Sequence, residues 1–301
     1  MYSSNFLTVE NAIPMRNEGI DRNLRLCLTP TSPQSLVLFR LLLGGVKVSK
    51  VGGESTVQSA NFFCVGAPNI SGYSLHSELS RAFPDLGTQD RTGAFLTVSI
   101  IKPLEQFFSA AGTRKGFFDV LLNELSRGML ADAKGNHLSA FVYIYRAIEH
   151  MSYALPLFHA RHSRDYIKAF HDLRTLISSG DGELKFCGKF IKALFATDPI
   201  LNSHVYNVEY PTPYSAAYSK YLEANHSKQC TRTAVGADVK FLESFDFVVD
   251  VRNKFFHHLS GSNQSASSRE IPDADIFFCP INRMALSIIA LVLRKIIASE
   301  I

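Results

Sequence analysis

Residues Leu138 to Leu155 read as a helix that is apolar on nearly every side, and this stretch fixes much of what the chain can become. A helix without a polar face has to be surrounded, because each large apolar side chain left in water forgoes roughly 1.5–3 kcal/mol. It must therefore be central, and amphipathic helices must wall it in. The chain supplies them from Lys102-Pro103 onward. Helices are expected from Pro103 to Ala111 and from Lys115 to Leu130, the latter with Phe117, Phe118, Leu121, Leu122, Leu125 and Met129 on one stripe. Others run from Arg161 to Ser179, from Glu183 to Ala196, from Ser215 to Ala224, over 238–259, and from Ile281 to Ile297, the last strongly apolar. Residues 197–215, with three prolines and several tyrosines, read as a long irregular insertion, and 225–235 as a polar link.

The first third has a different grain. Residues 1–35 are largely irregular, with one alternating run at Leu24 to Leu28. Leu36 to Leu43 fits either a strand or a buried helix. Val46 to Val51 and Thr56 to Val65 read as strands around Gly52-Gly53, Ser74 to Phe83 as a short helix, and Ala94 to Ile101 as a strand. The class that follows is α+β, with a mixed α/β domain over 1–112 and an all-α helical bundle over 113–301. Neither Gly44-Gly45 nor Gly52-Gly53 has the spacing of a phosphate-binding loop, so both are expected to be turns.

Composition narrows the functional classes. The five cysteines stand singly, which argues against a zinc knuckle or a disulfide framework, and no cofactor or metal set is recognisable. A net charge of +4 is too small to point to nucleic acid by itself, though it allows a local basic groove. No apolar run is expected to span a membrane; the longest, Leu36 to Val48, is interrupted by Arg40, Gly44, Gly45 and Lys47. The N-terminus has no signal-peptide pattern, so a cytoplasmic protein is expected.

Chemistry concentrates in the helix over 238–259. Phe241, Leu242, Phe245, Val248, Val249, Phe255, Phe256 and Leu259 share a broad apolar face, and Arg252 falls in its middle. A guanidinium among phenylalanines requires an ion-pair partner or an anion to face. His257 follows five residues later on the polar flank with Asp246, Asp250 and Asn253, where Asn253 can reach the imidazole one turn on. Glu149 projects from the central helix in line with Leu138, Val142, Tyr145 and Ser152. It can be the counter-ion of Arg252, or it can pair with Arg146 on a solvated flank. Likewise Arg252 can close a buried ion pair, with His257 and His258 complementing the negative end of the helix.

Arg252-Asn253-x-x-x-His257 at the end of a hydrophobic helix resembles the arginine-to-histidine motif of HEPN domains, all-helical modules that include many metal-independent ribonucleases. The resemblance covers about 113–301 and implies a HEPN-like bundle acting as an endoribonuclease. In that setting His257 moves protons, Arg252 carries the phosphate charge, Asn253 orients one or both, and Glu149 supports Arg252. It also implies an RNA substrate, a homodimer with a composite cleft, and a toxin or antiviral-defence effector with an antitoxin or activating partner. The contrasting expectation is a HEPN-like module that binds a nucleotide, RNA or protein without turnover.

A second arginine-to-histidine spacing, Arg164 to His171, is expected to lie on an exposed face of a helix capped by Ser163, whose buried side is Tyr166, Ile167, Phe170, Leu173, Leu176 and Ile177. His171-Asp172 also resembles part of a metal-dependent HD phosphohydrolase set, but the further ligands are not recognisable. Lys185, Lys189 and Lys192 recur on one side of their helix, where they can be solvated or track an RNA backbone.

Overall fold

The computed structural model describes residues 2–4, 7–11, 28–43, 46–52, 56–58, 106–110, 115–162, 165–178, 183–196, 198–256 and 270–300. The chain forms two compact units, one of Met1–Lys134 with Ile289–Ile301 and the other of Gly135–Ile288. The architecture is mixed α+β, with a largely helical C-terminal region. The expected helices at Ser74 to Phe83 and strand at Ala94 to Ile101 lie outside the described residues.

In the first unit, strands β1 (Tyr2–Ser3), β2 (Leu7–Asn11), β3 (Val46–Lys50) and β4 (Thr56–Gln58) form an antiparallel sheet in sequential order. Val9 pairs with Val48, and Leu7, Val9, Val46 and Val48 are all buried, so the pleat sends one set of side chains inward. Residues 2–3 and 7–11 thus form strands where irregular chain was expected, while the alternating run at Leu24 to Leu28 lies, but for Leu28, outside the described residues. Leu36 to Leu43 resolves as helix α1 (Gln34–Leu43), buried nearly all round, which packs on helix α2 (Lys115–Asp132). That packing draws α2 into the first unit, whereas the sequence had grouped it with the later helices. Gly52 adopts φ +71° in the turn after β3, which is the turn role expected of it.

The second unit is built on helix α3 (His137–His162), with Phe141, Ile144, Tyr145, Ile148, Met151 and Leu155 buried along it. Helices α4 (Tyr166–Ser178) and α5 (Glu183–Phe195) pack on it, α6 (Pro199–Ser203) and α7 (Ser215–His226) pack on α8 (Phe241–Phe256), and aromatic rings of α8 and of the start of α9 (Ala274–Glu300) meet Phe141. The Asp275 carboxylate accepts a hydrogen bond from the Leu138 amide at 2.8 Å, and the Asn282 side chain donates to the His137 carbonyl at 2.9 Å. One end of α3 is thereby fixed by α9, the carboxylate meeting the positive end of the helix.

The C-terminal region is not all-α, contrary to expectation. Strands β5 (Val205–Glu209), β6 (Cys230–Arg232) and β7 (Gly236–Lys240) form an antiparallel sheet in the order β5-β7-β6, in the segments read as insertion and link. Tyr206 and Val208 are buried opposite Val239 and Ala237, while Asn207 donates to Asp238 on the other face at 2.8 Å. A Cβ on Gly236 would lie 1.8 Å from the Val208 carbonyl oxygen, so close approach of the two strands requires glycine there.

Two further expectations change. In α4 Tyr166, Ile167 and Phe170 are exposed, not buried, and the Asp165 carboxylate accepts from the Lys168 amide at 2.9 Å in the first turn, while Ser163, the expected cap, lies outside the described residues. Nothing in the sequence of an amphipathic helix says whether its apolar face is covered. Ala274–Leu293 is also longer and more apolar than any run credited above, meeting the length and composition of a membrane span; 78% of that window is buried within the protein, so the helix serves the core.

Candidate active site

Helix α8 begins where β7 ends, and its buried stripe runs through Phe241, Ser244, Phe245, Val248 and Val251. At 100° per residue Arg252 continues that stripe, one turn beyond Val248. Its guanidinium sits over the Tyr145 ring, 5.0 Å from the centroid, and Nη2 lies 3.6 Å from Glu149 Oε1. Nη1 donates to Asn253 Oδ1 at 3.1 Å. Of the two partners open to Glu149, Arg252 is the one the structure brings to it. The group is neither sealed nor fully solvated, since 28% of the Arg252 side chain and 37% of Glu149 remain exposed. A pair this open adds little stability, but three contacts on one planar group restrict where it points.

Aromatic rings fix the helices around it. Phe141 packs 4.3 Å from Phe278, Phe255 packs 4.9 Å from Phe278, and Phe256 stacks on Phe141 at 6.3 Å, all as ring-centroid distances. These rings join α3, α8 and α9 at the last turn of α8, next to Arg252. His257, the proposed proton carrier, lies outside the described residues, as does His258. Asn253, expected to orient Arg252, His257 or both, contacts Arg252.

The polar flank of α8 is committed elsewhere. Lys192 of α5 stands 2.8 Å from both Glu243 and Asp246, which removes it from the proposed lysine track along α5. Asp250 accepts from Nδ1 of the fully buried His226 at 2.8 Å and pairs with Lys254 at 3.1 Å, while Lys254 also donates to the Asn225 carbonyl. Burial acts to raise the Asp250 carboxyl, but His226 and Lys254 outweigh it and hold it below its ordinary range. Burial also lowers the His226 imidazole, against the pull of Asp250. This cluster was not foreseen, since its members come from α7 and α8.

Among the described residues no group of three histidine, cysteine, aspartate or glutamate side chains is placed to hold a metal ion. His171 is exposed, and Arg164 lies outside the described residues.

Two buried histidines set a pH dependence. His204 is 8% exposed, rests against Tyr206 with ring centroids 4.6 Å apart, and is lowered to about 4 by burial. The unfolded chain binds a proton near pH 6.5, so the stability given by neutral His204 and His226 is present above that pH and is lost as pH falls toward the folded values. Unfolding free energies from urea melts should drop between pH 7 and pH 4.5, by on the order of 2 kcal/mol for His204 alone. His204→Phe, which keeps a ring against Tyr206, should flatten that slope; an unchanged slope would remove His204 as its cause.

Compared with known proteins, the chain matches no family model, no curated protein and no solved structure.

Proposed function

We propose that the chain is a metal-independent endoribonuclease of the HEPN type, with Arg252 and His257 as its reacting pair. The observation that carries this reading is the placement of Arg252: at the end of a buried stripe, partly open to solvent, with its face on Tyr145 and its edges at Glu149 and Asn253. A cation held in a fixed orientation can stabilise charge that develops on a phosphate without reorganising during the reaction.

RNA carries its own nucleophile. The ribose 2′-oxygen attacks the adjacent phosphorus as His257 takes its proton, Arg252 stabilises the negative charge on the phosphoryl oxygens, and the bond to the 5′-oxygen breaks as that oxygen receives a proton. The products are a 2′,3′-cyclic phosphate and a 5′-hydroxyl. A single histidine cannot be base and acid at once, and a second copy of the chain bringing its own motif to a shared cleft would supply the other group. We further propose that this homodimer acts in the cytoplasm as a toxin or antiviral-defence effector, held or triggered by an antitoxin or activating partner, with the N-terminal region as the sensor or control element.

The test is incubation of the purified chain with RNA in excess EDTA, followed by analysis of the product ends. Cyclic phosphate ends formed under chelation support the proposal. Cleavage that stops on chelation points instead to a metal-dependent phosphohydrolase, and the absence of cleavage in every activation state supports a module that binds its ligand without turnover.

A further inference from the structure

Tyr145 lies under the Arg252–Glu149 pair, and the mechanism above gives it no direct part. Its side chain is 4% exposed, yet its hydroxyl has no hydrogen-bond partner among the described residues. Phenylalanine would offer Arg252 the same ring face without that burden, because a buried donor left unsatisfied loses its hydration and gains nothing in return. The hydroxyl feels both neighbouring charges. Its pKa is raised to about 12, chiefly by burial, with Arg252 drawing it down and Glu149 pushing it up, so at physiological pH the group is a protonated donor beside the pair. The Glu149 carboxylate is held loosely: 3.6 Å is an ion-pair distance, too long for a hydrogen bond. An arriving phosphate competes with that carboxylate for the guanidinium and repels it.

From this geometry we infer that Tyr145 is a ligand-binding residue, whose hydroxyl donates to the RNA phosphodiester held by Arg252 once that anion has displaced Glu149. The inference rests on the ribonuclease reading for the identity of the ligand. It accounts for a tyrosine where the fold alone favours phenylalanine, since sites of this kind trade stability for binding.

Tyr145→Phe in the full chain separates this role from a structural one by the sign of two effects. The variant should melt at a higher temperature than wild type, having lost an unsatisfied buried hydroxyl. It should also bind a fluorescein-labelled, uncleavable 2′-O-methyl RNA roughly tenfold more weakly in a polarisation titration at low salt. Glu149→Gln should bind the same probe several-fold more tightly, because the competing charge is gone. A Tyr145→Phe protein that binds as tightly as wild type, or that melts at a lower temperature, overturns the inference. Wild type that binds the probe but never cleaves unmodified RNA sinks the nuclease reading and leaves the hydroxyl assignment standing. Cleavage and binding both unchanged in Tyr145→Phe do the reverse, and a wild-type chain with no affinity for the probe removes both.

Discussion

Arg252→Ala should slow RNA cleavage by a hundredfold to a thousandfold, the loss expected when a fixed group facing the developing phosphate charge is removed. His257→Ala should cost a comparable factor through lost proton transfer. The first variant should still fold, because the Arg252–Glu149 pair is about a third exposed on each side and a pair that open contributes at most about 1 kcal/mol. Arg252→Lys should recover only part of the rate, because an ammonium keeps the charge but not the planar fork that rests on Tyr145 and bonds Asn253. Single-turnover cleavage of a labelled RNA, read beside thermal melts of each variant, makes the comparison. Folded Arg252→Ala and His257→Ala proteins that cut at the wild-type rate would end the assignment.

The site was legible in the sequence to the extent that its residues break a pattern. Arg252 and Glu149 each interrupt an apolar stripe, and two interruptions on helices that both belong in the core invite a pairing, which the structure makes. Tyr145 was visible one turn before Glu149, but its unsatisfied hydroxyl is a fact of packing that periodicity does not encode. The fold was legible where a single period dominates, as in α3 and α5, and not where two fit. Residues 238–240 continue the helical stripe of α8 on paper, yet they pair with β5, because Asp238 and Val239 find partners in Asn207 and Tyr206 that no local pattern announces. The signal for β5 was present: Tyr206, Val208 and Tyr210 alternate with Val205, Asn207 and Glu209, and all three of the first set are buried. The neighbouring prolines concealed it. Contacts between elements lie beyond such patterns, which is why His226 and Asp250, 24 residues apart, were not associated.

Asp250→Ala should be the most damaging of the substitutions away from the proposed chemistry, lowering stability by about 2–4 kcal/mol and the melting temperature by roughly 5–15 °C. Asp250 Oδ2 receives both His226 Nδ1 and Lys254 Nζ. Removing it leaves a fully buried imidazole N–H without an acceptor and an ammonium, 19% exposed, without its carboxylate. Asp250→Asn should cost less, since its amide oxygen can still accept from His226 while only the charge opposite Lys254 is lost. The cluster ties α8 to the end of α7, and Cys230 at the start of β6 donates to the His226 carbonyl at 3.2 Å, so the helix is held from the side away from Arg252. Arg252 stands two positions beyond Asp250, about 200° around the helix. Loosening the anchor should therefore weaken the orientation of the guanidinium as well as the fold. Denaturant melts of the two variants with cleavage rates measured well below their midpoints would show both effects, and an Asp250→Ala protein as stable as wild type would mean that this cluster does not hold α8 in place.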